Sequence, residues 1–207
     1  LKNYGAAPHL LGNYSVDAGE MFLYQYLPIK LVGSSELKYE ERLKIFDEII
    51  GRAACDFIGV RGLDEYVESY IYVTAKRMFV KPGCGYNRGN FHSDSFGTNE
   101  INYIWSDKFP TIFNRTLFKL PDDDRESLLA MAAQAAPRND YSFKEGDLLR
   151  LTELNIHKVA PITEVCMRTF IKISFSKNKW ALVGNSKNFL LSYNWEMATR
   201  SLERNIP

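Results

Sequence analysis

Two long stretches, "YIYVTAKRMFV" and "VCMRTFIKISFS", constrain this chain more than anything else in its 207 residues. Both are rich in aromatic and β-branched residues, which suit a pleated surface, and both read as strands. The first ends at Pro82-Gly83, a turn signal. Along the second, Cys166, Arg168, Phe170, Lys172 and Ser174 fall on one face. Val165, Met167, Thr169, Ile171 and Ile173 fall on the other. The second face is the more apolar, so helices should cover it. That turns Arg168 toward the interior of whatever these strands enclose.

Shorter extended pieces accompany them: "EINYIW", "PTIFN", "TLFKL", "GDLLRLT", "NIHKVAP" and "FLLSY". A helix is predicted from Ser35, as N-cap, to Gly51, with Tyr39, Leu43, Phe46 and Ile50 on one face. "GLDEYVESY" forms a shorter helix or turn. "LPDDDRESLLAMAAQAAPRN" reads as an acidic-capped helix stopped by Pro137, and "WEMATRSLERN" as a closing helix. The fold expected is mainly β with flanking helices, an antiparallel sandwich or jelly roll with one sheet backed by helices. One domain is expected over 1–207. Residues 1–68 form a mainly helical support, 69–176 the β core with a helical insert at about 122–136, and 177–207 a last strand and helix.

Composition excludes several classes. A net charge of +1 with scattered Lys, Arg, Asp and Glu offers no basic stripe for nucleic acid. No apolar run is long enough to span a membrane, and no secretory signal is evident at the first residues. Cys55, Cys84 and Cys166 are odd in number and lack metal-knuckle spacing, which favours reduced thiols and a cytoplasmic setting. Thirteen Phe, twelve Tyr and three Trp supply ample core.

Histidine is scarce, with three in the chain. His92 and Asp94 stand together in "FHSDSF", just after a glycine-rich loop; His9 lies near the terminus and is set aside. His157, in "NIHKVAP", completes a possible trio. Two His and one carboxylate make the facial set of non-haem Fe(II) oxygenases, with open positions for other ligands. A three-ligand catalytic zinc fits the same residues. The plain alternatives are a surface turn with an Asx cap for "HSD" and a hydrogen-bonded strand histidine for His157. Arg168, eleven residues after His157, is costly inside a barrel without a partner. A dicarboxylate held by a bidentate guanidinium would supply one, and so would an internal Asp or Glu.

The order His92-Ser93-Asp94, then His157, then Arg168 resembles the Fe(II)- and 2-oxoglutarate-dependent dioxygenases over roughly residues 70–176, and is partly prolyl-hydroxylase-like. "GDLLRLTELNIHKVAPI" is similar to that family's turn and strand around the distal histidine. The resemblance implies a double-stranded β-helix, a cupin-like jelly roll. It implies Fe(II) on His92, Asp94 and His157, with 2-oxoglutarate and O2 as cosubstrates. It gives Arg168 the distal carboxylate, with a hydroxyl from Thr111, Tyr103 or Ser174 beside it. It also implies hydroxylation of an unactivated C–H bond with release of succinate and CO2, and Asp94 argues against halogenation.

Substrate identity is less legible. Tyr86, Asn87, Arg88 and Asn90 in the loop "KPGCGYNRGNF" could meet substrate or simply be solvated. Arg150 could hold a substrate carboxylate or face water. A small polar molecule, such as an amino acid or natural-product intermediate, is the expected partner. A protein side chain comes second and nucleic acid third. A non-catalytic cupin-like metal or ligand binder is the reading from a different class. Oligomeric state is open.

Overall fold

The computed structural model describes residues 2–83 and 89–200. Its strands are β1 (His9–Asn13), β2 (Phe22–Lys30), β3 (Tyr70–Val80), β4 (Ile101–Ser106), β5 (Ile112–Asn114), β6 (Asp140–Ser142), β7 (Asp147–Leu151), β8 (His157–Lys158) and β9 (Cys166–Ser176). Helices are α1 (Asp47–Arg61), α2 (Leu63–Val67) and α3 (Asp124–Gln134), with 3-10 turns at Glu41–Phe46 and Pro137–Asn139.

The strands form two antiparallel sheets, a large one in the order β1-β7-β4-β9-β3-β2 and a small one in the order β6-β5-β8. An antiparallel bridge from His92 to His157 sets the segment around residue 92 beside β8. From β3 onward the chain therefore alternates between sheets. The large sheet takes β3, the small sheet takes residue 92, and the large takes β4. β5 and β6 then lie in the small sheet, β7 in the large, β8 in the small and β9 in the large.

β9 is the hub of the large sheet, paired along its full length with β3 from Tyr70–Ser176 to Val80–Cys166. Its two faces divide as the alternation predicts. Ile171, Ile173 and Phe175 join Val73, Ala75, Trp105 and Leu148 in a core covered by Phe46, Ile49, Ile50, Ala53 and Phe57 of the helical layer. Phe57 stacks on Phe175 with ring centroids 4.3 Å apart. Burying such rings stabilises by about 1.5–3 kcal/mol each. On the other face, Ile104, Leu149, Leu151, Phe113 and Phe170 close one end of the space between the sheets.

Several expectations need correction. Residues 1–68 supply two strands of the large sheet as well as helices. Gly12 and Pro28 read as breakers, and bulges in β1 and β2 interrupt their alternation. The first helix does not start at Ser35. The Ser34 hydroxyl accepts from Glu36 N–H in a local turn, and Lys38 N–H donates to the Ile29 carbonyl. Helical spacing instead runs past Gly51 and stops at Gly62, whose φ is 90°. "TLFKL" is not a strand: Phe118 N–H donates to the Tyr4 carbonyl and Lys119 N–H to the Gln134 side chain. "FLLSY" is coil with Phe189 exposed. Residues 195–200 form no helix, only a bridge from Ala198 to Leu182. His9 is not loose at a terminus but lies on β1, opposite Arg150.

Gly146 shows why the turn before β7 needs glycine. Its φ is 83°, and a Cβ there would lie 2.7 Å from the Tyr14 carbonyl oxygen. Among the described residues no helix is long and apolar enough to cross a membrane.

Candidate metal centre

His92 and His157 lie 65 residues apart in the chain, and one backbone pairing joins them. His92 N–H donates to the His157 carbonyl at 2.8 Å, and His157 N–H donates back at 2.9 Å. In such a hydrogen-bonded antiparallel pair both side chains leave the same face, and the two ring centroids are 4.6 Å apart. Asp94 is two residues beyond His92 and so shares that face. Ser93 between them points away, its hydroxyl donating to the Glu153 carbonyl. One ligand atom each from His92, Asp94 and His157 lies within 4.8 Å of the others. A surface turn is thereby replaced by a buried three-donor cluster.

The donors are also correctly prepared. Nδ1 of His92 is 2.9 Å from the Asn90 carbonyl, and Nδ1 of His157 is 2.9 Å from the Asn155 carbonyl. A carbonyl can only accept, so each Nδ1 carries the proton and each Nε2 keeps its lone pair. That outer support is what orients metal-binding imidazoles. The Asp94 carboxylate lies 3.8 Å from His157 Nε2 and 3.2 Å from Lys172 Nζ. Burial alone would raise its pKa, but the Lys172 ammonium, joined by the imidazoles of His157 and His92 when they carry charge, outweighs burial and holds it well below the usual carboxylate range. Two neutral imidazoles and one carboxylate fit a divalent cation of borderline softness, with positions left for other ligands.

Arg168 is buried, on the same face of β9 as Lys172. Its Nε donates to the Lys108 carbonyl at 2.8 Å and Nη2 to the Phe109 carbonyl at 3.1 Å. Thr111, half-buried just before β5, is two residues past Phe109 and two before Phe113, whose ring stands 5.7 Å from that of His157.

The other sequence candidates divide. The Ser174 hydroxyl is on the site face but is engaged by Asn102 Oδ1 at 2.5 Å, in a chain running through Ser95 to Glu100. Tyr103 and Arg150 are not at the site. They share the opposite face of the large sheet, as cross-strand partners, and both reach Asp56 of α1. Tyr103 donates at 2.9 Å and Arg150 Nη1 contacts both carboxylate oxygens at 3.0 and 2.8 Å. The sheet-to-helix packing claims them because β4 and β7 present that face to α1. Asn90 contributes its backbone carbonyl, and its side chain is exposed. Tyr86, Asn87 and Arg88, with Cys84, lie outside the described residues.

Asp56→Ala should therefore lower stability by about 3 kcal/mol, since it leaves a mostly buried guanidinium and a phenol without their acceptor. Urea unfolding monitored by tryptophan fluorescence checks this, with metal affinity expected to stay within twofold. A large loss of metal affinity at full stability would move Arg150 and Tyr103 back toward the site.

Three residues escaped sequence reasoning. Lys172 was placed on the correct face but given no role. Lys76 sits on the corresponding face of β3, opposite Phe170, where the adjacent cations Lys76 and Arg77 of "TAKRM" obscure the alternation. Tyr26 could not be foreseen: a bulge in β2 aims its hydroxyl to 3.4 Å from Lys172 Nζ. Tyr26 (φ 45°), Ser95 (φ 62°) and Phe109 (φ 50°) are the left-handed non-glycine residues of the described chain. All three adjoin the site, through Lys172, Asp94 and Arg168 respectively. Backbone strain of this kind costs about 1–3 kcal/mol per residue and gathers where function demands it.

No family model matches this chain, and no curated protein matches it. Among solved structures it is similar to EvdO2 from Micromonospora carbonacea var. aurantiaca, one structure of which is complexed with 2-oxoglutarate. That likeness has TM-score 0.43 and 12% identity over 66% of this chain and 65% of that one. It is also similar to an oxidoreductase of the 2OG-Fe(II) oxygenase family from Burkholderia pseudomallei (0.42, 16%, over 83% and 73%). A third is AviO1 from Streptomyces viridochromogenes Tue57 (0.41, 12%, over 73% of each). The chain spans just under two thirds of the length of EvdO2. Likeness at these TM-scores decides nothing about chemistry, which is read from the site's own atoms.

Proposed function

We propose that this chain is a non-haem Fe(II)- and 2-oxoglutarate-dependent oxygenase that hydroxylates an unactivated C–H bond of a small polar substrate. The observation that carries the reading is the convergence of His92, Asp94 and His157, with both Nδ1 atoms tied to carbonyls, in the inter-sheet space that also receives Arg168. The alternation of segments between two sheets supports a double-stranded β-helix and a single oxygenase domain.

His92, Asp94 and His157 would hold the iron. Bound there, Fe(II) with 2-oxoglutarate supplies O2 activation coupled to oxidative decarboxylation, giving succinate and CO2. The chain's own contribution is positional. Arg168 presents a fork to the distal carboxylate of 2-oxoglutarate, and Thr111 is the remaining hydroxyl candidate beside it. Ile104, Phe113, Leu149 and Leu151 keep that end of the space dry, which strengthens each charge contact.

Anaerobic addition of Fe(II) and then 2-oxoglutarate to metal-free protein tests this. The expected result is a weak visible charge-transfer band, followed on admitting O2 by slow release of succinate. A band without succinate, even with candidate substrates added, would leave a metal-binding jelly roll that is not a catalyst. Absence of the band would remove the iron reading.

A further inference from the structure

The face of the large sheet turned toward the candidate metal centre carries more positive charge than the proposed machinery uses. In the β3–β9 ladder Thr74 is opposite Lys172, Lys76 opposite Phe170, and Met78 opposite Arg168. Lys76 is thus the diagonal neighbour of both Arg168 and Lys172, at about 7–8 Å between backbones. Lys76 Nζ and the Arg168 guanidinium each lie 5.6 Å from the Phe170 ring centroid. Burial, then Arg168 and Lys172, pull the Lys76 pKa below its ordinary value, as expected of a cation crowded by cations.

Each of its neighbours has an anion to serve. Lys172 pairs with Asp94. Arg168 takes the distal carboxylate of 2-oxoglutarate under the proposed function. Among the described residues the Lys76 ammonium makes no ion pair or hydrogen bond and meets the Phe170 ring. The next carboxylate on this face, Glu100, is held by Ser95, Ser176 and Trp180. Ser176 stands six positions along β9 from Phe170, about 20 Å away. An ammonium held beside two other cations with no carboxylate of its own is a cost to the ligand-free protein and an asset when an anion arrives.

We propose that Lys76 anchors a carboxylate of the primary substrate, so that the compound oxidised is a small organic acid or amino acid rather than a neutral molecule. The proposal rests on the oxygenase reading and names the substrate class of that site. A single ammonium on a flexible stem, with three N–H donors, matches a monoanion. Phe170 beneath it offers an apolar floor for the substrate's carbon frame.

The test uses acetate as probe and Mn(II) in place of iron, with 2-oxoglutarate saturating so that Arg168 is occupied. Binding of Mn(II) and of 2-oxoglutarate is measured first in the same sample. Acetate methyl protons should then show saturable paramagnetic relaxation, while acetamide, the neutral analogue, should not. Lys76→Gln should weaken acetate binding at least about tenfold, the loss of one charge-assisted hydrogen bond. It should leave 2-oxoglutarate affinity within twofold, and Lys76→Arg should keep acetate binding. Lys76→Gln should also raise the melting temperature of the ligand-free protein, by relieving repulsion. Intact Mn(II) and 2-oxoglutarate binding without saturable acetate relaxation would overturn the anchor and leave the oxygenase reading standing. So would equal relaxation of acetamide, a Lys76→Gln effect on 2-oxoglutarate instead of acetate, or a lowered melting temperature. Failure of Mn(II) to bind would overturn both readings together.

Discussion

Asp94→Asn should weaken Fe(II) binding by at least about 100-fold and abolish succinate release. Substituting residues that merely support metal ligands commonly costs 10–100-fold, so loss of a ligand's charge should cost no less. Asparagine preserves the shape of the side chain but cannot offset metal charge. It also removes the counter-ion that stands 3.2 Å from Lys172 Nζ. Leaving that ammonium buried and unbalanced should cost the metal-free protein about 3–5 kcal/mol. Weak metal binding could therefore reflect partial unfolding. The double variant Asp94→Asn/Lys172→Met separates the two effects, because it removes both members of the pair. It should recover most of the stability and none of the metal affinity, measured by urea unfolding and anaerobic titration. Recovery of iron binding in the double variant would show that Asp94 serves Lys172 and not the metal.

Arg168→Ala should raise the 2-oxoglutarate concentration needed for half-saturation by roughly 30-fold to several thousand-fold. This corresponds to the 2–5 kcal/mol typical of truncating one partner of a buried charge pair. Fe(II) affinity should change little, since Nε and Nη2 of the guanidinium donate to the Lys108 and Phe109 carbonyls. Those carbonyls would lose their donors at a cost of about 1–3 kcal/mol each if water does not replace it. Arg168→Lys should restore part of the affinity through charge while lacking the planar fork. Titration of the charge-transfer band with 2-oxoglutarate, beside thermal unfolding, reads both quantities. Unchanged 2-oxoglutarate affinity with a lowered melting temperature would make Arg168 a clamp on residues 107–110 and nothing more.

What the sequence determined by itself is whatever follows from local period. β3, β4 and β9 were legible because they are rich in aromatic and β-branched residues, and β7 because leucines flank Arg150 after a Gly-Asp turn. The division of β9 into an Arg168–Lys172 face and an Ile171–Ile173 face followed from the pleat alone. The grouping of His92, Asp94, His157 and Arg168 came from the resemblance of their order to a family pattern and not from any period. Tertiary structure decided what each face meets. Tyr103 and Arg150 obey the same alternation as the site residues, yet the surface they share lies under α1, where Asp56 takes both. Tyr26 reaches Lys172 through a bulge that breaks the period on which its strand would have been recognised. The pairing of His92 with His157 is a hydrogen-bonded bridge across 65 residues, set by how two sheets close on each other. Periodicity is a property of neighbours along the chain and specifies orientation within a strand. A site is a property of neighbours in space, and those were chosen by sheet order, register and the burial of the opposite face.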